Sequence, residues 1–128
     1  MYSIDDIENM ISRVLDEIPD KYFVELNGGV ILRDESKPHT QSAGNLFILG
    51  EYHNQPRGCG RFICIYYGSF MRVYPYAPQE QLFAHLRDTL LHELTHHLES
   101  LAGERDLEIE DKIKLNEYRR IHRTGNTS

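Results

Sequence analysis

Three residues in the second half of the chain have side-chain types and a spacing that could bind a metal ion. His92, Glu93 and His96 form the pattern H-E-x-x-H. On an α-helix, residues four apart project from the same face, so the two imidazoles could bind one zinc ion. Glu93 would then be placed to take a proton from a zinc-bound water. The spacing predicts a catalytic metal site, provided that it lies on a helix.

The residues around this motif have the periodicity of an amphipathic helix. Apolar residues recur at steps of three and four along segment 78–102, namely Leu82, Phe83, Leu86, Leu90, Leu94, Leu98 and Leu101. The other half of the helical wheel carries three histidines, His85, His92 and His96. This pattern predicts a helix with its back in the core and its front lining a cleft. Gly103 is expected to end it, because glycine readily takes the left-handed conformation.

A catalytic zinc usually has three protein ligands and one open position for water, so a third ligand is needed. His97 lies about 100° round the helix from His96 and is predicted to be a structural histidine that faces the core. Glu99 shares the face of the two motif histidines but lies nearly two turns from His92, which favours a role as a hydrogen-bond partner of His96 or as a solvated charge. Further acidic candidates follow it, namely Glu104, Asp106, Glu108, Glu110 and Asp111.

The segment from His92 to Asp106 resembles the H-E-x-x-H-H-x-x-x-x-D motif of the minimal zincin-like family, small bacterial zinc metallopeptidases with a metzincin-like core. In that family a glycine follows the second histidine by three residues, and an acidic ligand follows by three more. Those positions hold Glu99 and Ala102 here, and alanine cannot bind a metal. The same Gly-x-x-Asp pattern occurs about one helical turn later, from Gly103 to Asp106.

The resemblance therefore implies Asp106 as the third zinc ligand, with Glu104 as the second choice and Glu99 as the third. Asp106 is also a good N-cap for a following helix, so both roles stay open. A peptidase of this type hydrolyses a peptide or protein substrate by Glu93-assisted attack of a zinc-bound water. Zincins pair an extended substrate with an edge strand, and the resemblance points to Arg61–Tyr67 as that strand. The candidates for stabilising the oxyanion are Tyr66, Tyr67, Tyr74 and Tyr76.

The remaining sequence predicts an α+β fold in one domain over residues 1–122, with a polar tail over 123–128. A first helix is expected over 3–18, with Ser3 as N-cap and Pro19 after its end. Strands are expected at 22–26 and 30–32, either as a hairpin around the turn Asn27-Gly28-Gly29 or as two sequential strands, and then at 46–52 and 61–67. Segment 70–74 either continues the last strand or turns back. A C-terminal helix is expected over 106–122. Loops lie between, and His39 is predicted to be an ordinary loop residue.

Composition narrows the class of protein further. The 128 residues carry a net charge of −6, which argues against a nucleic-acid partner. No apolar run approaches the roughly 18 residues that cross a membrane, and the acidic N-terminus does not resemble a signal peptide. We therefore expect a cytoplasmic protein, in which Cys59 and Cys64 are free thiols. The oligomeric state stays open.

Other interpretations of the motif are a metal-binding or regulatory module without peptidase activity, and a peptidase with one dedicated protein substrate. The second class usually carries a DNA-binding or sensor domain, and none is evident in this sequence. Iron could replace zinc, because two imidazoles and a carboxylate also suit iron. The motif could also be a solvated helix face that binds nothing.

Overall fold

In the part of the chain that the structure describes, three α-helices, one 3₁₀ helix and two small β-sheets make up a mixed α+β fold. The computed structural model describes residues 1–39 and 46–105, with side chains up to residue 103. In chain order the elements are α1 (Ile4–Glu17), the 3₁₀ helix (Asp20–Phe23), β1 (Gly29–Arg33), β2 (Lys37–Pro38), β3 (Phe47–Ile48), β4 (Gly50–Gln55), β5 (Gly60–Tyr66), α2 (Tyr67–Val73) and α3 (Gln79–Arg105).

Helix α1 begins at the residue that the sequence predicts. The Ser3 hydroxyl accepts a hydrogen bond from the Asp6 amide at 3.1 Å, and the Asp6 carboxylate accepts one from the Ser3 amide at 2.9 Å. This capping box satisfies two amides that the first helical turn would otherwise leave without partners. The helix ends before Pro19, and its apolar stripe is buried against α3, with Ile7 and Val14 fully inaccessible.

Strand β5 is the central strand of the larger sheet, whose order is β1-β5-β4. It pairs parallel with β1 and antiparallel with β4. Ile63 and Ile65 pack into the main core, whereas Phe62 and Cys64 belong to a second cluster on the opposite sheet face. The prediction that Arg61–Tyr67 is an edge strand is therefore wrong. Its almost unbroken apolar run is typical of a strand buried on both faces.

Two predictions for the chain before β1 and after β5 are also wrong. Segment 22–26 is not a strand: its first residues end the 3₁₀ helix, and the Leu26 amide donates to the Phe23 carbonyl. Gly28 does not form a hairpin turn, because its amide donates to the Arg61 carbonyl and β1 then runs parallel to β5. Residues 70–73 belong to α2, where Phe70 and Met71 are buried, and Tyr74 is the C-cap of this helix.

Helix α3 carries the H-E-x-x-H motif, as the apolar period predicts. Its buried side chains include Leu82, Leu86, Leu90, Leu91, Leu94, Leu98 and Leu101. The helix does not end at Gly103 but continues to Arg105. A glycine inside a helix costs only about 1 kcal/mol, which the buried leucines preceding it readily offset. Asp106, the predicted helix over 106–122 and the tail over 123–128 lie outside the described residues.

The two cysteines are free thiols, as predicted. Cys59 is exposed, whereas Cys64 is buried on β5 and its sulfur accepts a hydrogen bond from Arg33 Nε at 3.4 Å. Among the helices that the structure describes, none combines the length and the apolar character needed to cross a membrane.

Candidate functional site

The side chains of His92 and His96 meet on the exposed face of α3. Their Nε2 atoms lie 3.1 Å apart, and their ring planes are nearly perpendicular at 88°. Two nitrogens that bind one tetrahedral zinc at about 2.0–2.1 Å lie roughly 3.4 Å from each other. The observed separation is close to that value, so the two imidazoles could share a zinc ion with only a small adjustment of their side chains.

The third position of such a site is not supplied by the side chains that the structure describes, which contain no group of three potential metal-binding residues. The Glu99 carboxylate lies 3.6 Å from Nδ1 of His96, the ring nitrogen that does not face His92. In this position Glu99 is a neighbour of a candidate ligand, and metal-binding histidines commonly donate their second N–H to such a carboxylate. Asp106 and the side chain of Glu104 lie outside the described residues.

Glu93 borders a groove of about 450 Å³ between α3 and the segment that contains β3 and the start of β4. Its side chain is almost buried, with 8% of its surface exposed. The other residues that line the groove are His39, Phe47, Ile48, Leu49, Gly50, Asp88, Thr89 and His92. The groove therefore has a polar wall on α3 and a largely apolar wall opposite it. Such a groove has the size and mixed lining of a small binding site.

Strand β4 reaches this groove because its first residue is a glycine. A Cβ atom on Gly50 would lie 2.9 Å from Thr89 Cγ2 and 3.1 Å from the Cys64 carbonyl oxygen. Only glycine permits this approach without a shift of the helix or the neighbouring strand. β4 has a single strand neighbour, β5, among the residues that the structure describes. The open edge of the sheet, formed by β4, thus begins at the groove that Glu93 lines.

His97 faces away from this groove and is fully buried, which confirms its prediction as a core histidine. Its Nε2 lies 2.7 Å from the Val24 carbonyl oxygen, and its Nδ1 lies 3.0 Å from the Tyr52 hydroxyl. A carbonyl can only accept, so Nε2 carries the hydrogen, and Nδ1 accepts from Tyr52. Burial lowers the pKa of His97, while the Val24 contact opposes this shift. The imidazole is therefore neutral near pH 7.

The structure does not bring the four candidate tyrosines to the groove. The Tyr66 hydroxyl donates to Glu51 at 2.7 Å, and the Tyr67 hydroxyl donates to the Tyr2 carbonyl. Tyr74 stacks on His85 with ring centroids 4.0 Å apart, and Tyr76 is 85% exposed. Burial and hydrogen bonding to the Glu51 carboxylate raise the pKa of Tyr66 well above its usual value.

Three polar residues line the groove without having been predicted at a site, and one of them, His39, was predicted to be an ordinary loop residue. Asp88 precedes His92 by four residues, so its helical spacing could have placed it on the same stripe. Thr89 is one residue further on and follows the same logic. His39 reaches the groove from beyond β2, where its amide donates to the Leu46 carbonyl at 2.9 Å. No local signal predicts that contact, since it depends on how β2 and β3 pair.

Glu51 and His53 alternate with Gly50 and Tyr52 on β4 and thus lie on the sheet face opposite α3. The Glu51 carboxylate accepts hydrogen bonds from Lys37 and Tyr66 and lies 3.4 Å from His53 Nε2. Burial by itself would raise the pKa of Glu51, but these contacts outweigh burial and lower it. This charged cluster is separated from the groove by the sheet.

Comparison with known proteins identifies a relative of similar structure. No protein-family model matches the chain. No curated protein matches it. The solved structure of a conserved hypothetical protein from Thermus thermophilus is similar, with a TM-score of 0.69 and 34% sequence identity. The similarity covers 80% of this chain and 99% of that protein.

Proposed function

We propose that this chain, which belongs to the same family as the conserved hypothetical protein from Thermus thermophilus, is a zinc-dependent metallopeptidase. In this proposal its helix and strand have a zincin-like arrangement. One observation carries the proposal. The Nε2 atoms of His92 and His96 lie 3.1 Å apart on the helix that also carries the groove-lining Glu93. A metal-binding pair beside a carboxylate in a groove is the arrangement that metal-assisted hydrolysis requires.

His92 and His96 would hold the zinc through their Nε2 atoms. The third ligand would come from the segment that follows, with Asp106 as the first choice. When bound, zinc supplies a water of lowered pKa and polarises a carbonyl oxygen. Glu99, 3.6 Å from His96 Nδ1, would orient that imidazole toward the metal.

Glu93 would be the general base of the reaction. Its carboxylate would accept a proton from the attacking water and pass it to the leaving amine. The side chain is 8% exposed, so neighbouring groups restrict its movement and its contact with bulk water. This fixed position beside the groove is what a base needs in order to reach a bound peptide.

Strand β4 would bind the substrate. Extended peptides commonly add to an open sheet edge through main-chain hydrogen bonds. β4 takes this role in place of Arg61–Tyr67, because it is the outer strand that borders the groove at Gly50. Peptide side chains would then contact Phe47, Ile48 and Leu49 on the apolar wall.

Metal content of the purified protein tests the proposal first. We expect about one zinc per chain by elemental analysis, lost in both His92→Ala and His96→Ala. His53→Ala is the matched control, since His53 contacts Glu51 on the opposite face of the sheet and should leave zinc in place. A folded wild-type protein that contains no metal and takes up no added zinc would overturn the proposal.

The non-catalytic alternative makes a different prediction. A metal-binding module would hold zinc through the same two histidines but would cleave no protein. Fluorescently labelled casein is a suitable probe, because its unfolded chain offers a peptidase many different sequences to cleave. Zinc-dependent release of labelled peptides supports the peptidase, whereas stoichiometric zinc with no release from casein or from a diverse peptide library favours the module. Elemental analysis also distinguishes zinc from iron.

A further inference from the structure

His97 is a polar side chain in the core that the proposed chemistry does not use. It follows His96 directly in sequence but is completely buried, on the other side of α3. Both of its ring nitrogens are engaged: Nδ1 accepts from the Tyr52 hydroxyl at 3.0 Å, and Nε2 donates to the Val24 carbonyl at 2.7 Å. A buried apolar residue would fill the same space without needing two partners, so the hydrogen bonds call for an explanation.

These two bonds join three parts of the molecule. Tyr52 lies on β4, the outer strand beside the groove, and Val24 lies just after the 3₁₀ helix. The next residue, Glu25, has a φ of +60°, a left-handed conformation that costs energy for a residue other than glycine. The contact with His97 fixes the carbonyl immediately before this strained residue. His97 thereby anchors both the connection into the sheet and the strand that borders the groove.

The second contact between β4 and α3 lies at Gly50 and Thr89. Thr89 and His97 are eight residues apart, or about 12 Å along the helix axis. Gly50 and Tyr52 are two residues apart, or about 7 Å along the strand. The Tyr52 side chain covers the remaining length, so β4 contacts α3 both before and after the motif. His92, Glu93 and His96 all lie between these two contacts in sequence.

We propose that His97 is a positioning residue for the groove: through Tyr52 it sets the distance and tilt of β4 relative to Glu93 and the two motif histidines. The inference rests on the proposed function, because β4 would bind the peptide and Glu93 would activate the water. His97 contacts β4 through the Tyr52 hydroxyl, 3.0 Å from its Nδ1. Its effect is transmitted by the placement of the strand edge.

The test compares variants that remove the hydrogen bond between Tyr52 and His97 with one that removes a buried hydrogen bond elsewhere. Tyr52→Phe removes the hydroxyl alone, and His97→Phe removes both imidazole hydrogen bonds while keeping a ring. His97→Gln is the conservative variant, because its amide has both a donor and an acceptor. Thr95→Val is the matched control: the Thr95 hydroxyl is buried and donates at 2.8 Å to the Leu91 carbonyl within the same helix.

The first readout, hydrogen exchange of the backbone amides in Gly50–Gln55, does not depend on activity. We expect faster exchange across β4 in Tyr52→Phe and His97→Phe than in Thr95→Val at equal global stability, with partial recovery in His97→Gln. Equal exchange in all four variants would overturn the inference. It would do so whether or not the protein proves to be a peptidase.

The second readout is casein cleavage per folded, zinc-loaded molecule. We expect KM to rise and kcat/KM to fall roughly 10- to 100-fold in Tyr52→Phe and His97→Phe, since small misplacements of a substrate have effects of this size. Zinc content should stay at the wild-type level. Unchanged kinetics in an active enzyme would overturn the inference and leave the proposed function intact. A wild-type protein without zinc or cleavage would refute the proposed function instead. Hydrogen exchange of the β4 amides would then still test whether the Tyr52–His97 hydrogen bond positions the strand.

Discussion

His96 and His97 are neighbours in sequence, yet they have opposite environments. His96 is exposed, and its Nε2 faces His92 at 3.1 Å. His97 is inaccessible, and both of its nitrogens are hydrogen-bonded inside the protein. Residue type alone therefore does not decide whether an imidazole can bind a metal. The direction of the nitrogens does, and one residue along a helix turns that direction by about 100°.

The same contrast extends along the whole of α3. One face consists of buried leucines that pack on α1 and β5, and the other carries the histidine pair and lines the groove. A substitution on the buried face should change stability, whereas one on the groove face should change chemistry. Glu93 and Leu94 are adjacent and almost equally buried, so they offer a direct test of whether the two properties separate.

Glu93→Gln should cause a greater loss of activity than any other substitution on the groove face. Removing the base should lower casein cleavage roughly 10²- to 10⁴-fold, because this is the usual contribution of a general base. Zinc content should not change, since His92 and His96 remain. Activity and elemental analysis on the same preparation measure both properties. Glu80→Gln, at an exposed position in the first turn of α3, is the control and should retain full activity. Activity at the wild-type level in Glu93→Gln would remove Glu93 from the mechanism.

Leu94→Ala should have the reverse effect. Truncating a fully buried leucine lowers the free energy of unfolding by about 2–5 kcal/mol. The folded variant should bind zinc as the wild type does, because its side chain lies on the opposite face from the histidine pair. Urea unfolding and metal analysis test the two parts. Leu94→Met, which conserves volume, should cost less than about 1.5 kcal/mol. A folded Leu94→Ala protein that has lost zinc would show that the two faces are not separable.

The features that could be predicted from the sequence are those that depend on local spacing. Ser3 and Asp6 form a capping box within one turn, and the leucine period of α3 places His92 and His96 together. Each follows from helix geometry alone, whatever the rest of the chain does. The same reasoning separated His97 from His96 and assigned it to the core.

The predictions that were wrong concern features that depend on contacts between distant segments. β5 was assigned to an edge from the resemblance to zincins, whereas β1 and β4 both pair with it. His39 joins the groove only through the pairing of β2 and β3. Gly103 has a propensity to end helices, but burial of Leu98 and Leu101 extends α3 beyond it. In the case of Gly103, tertiary packing overrides a weak local preference.

His85 was predicted on the groove face of α3, but it stacks on Tyr74, and substituting it should have only a small effect on stability. Burial lowers the pKa of His85, and the Asp88 carboxylate opposes this shift. The unfolded chain, with a histidine pKa of about 6.5, then binds more protons than the folded protein as the pH falls below that value. The contribution of neutral His85 to the free energy of unfolding is present above about pH 6.5. It is lost as the pH falls towards the pKa of His85 in the folded protein.

His85→Gln should therefore reduce the loss of unfolding free energy below about pH 6.5, measured by urea unfolding at a series of pH values. NMR titration of the wild-type protein should show the His85 imidazole protonating at a lower pH than an ordinary histidine. Identical pH slopes in the two proteins, together with an unshifted His85 titration, would contradict the stacked and partly buried position. His85 would then belong to the solvent-facing stripe with His92 and His96, as the helical spacing alone predicts.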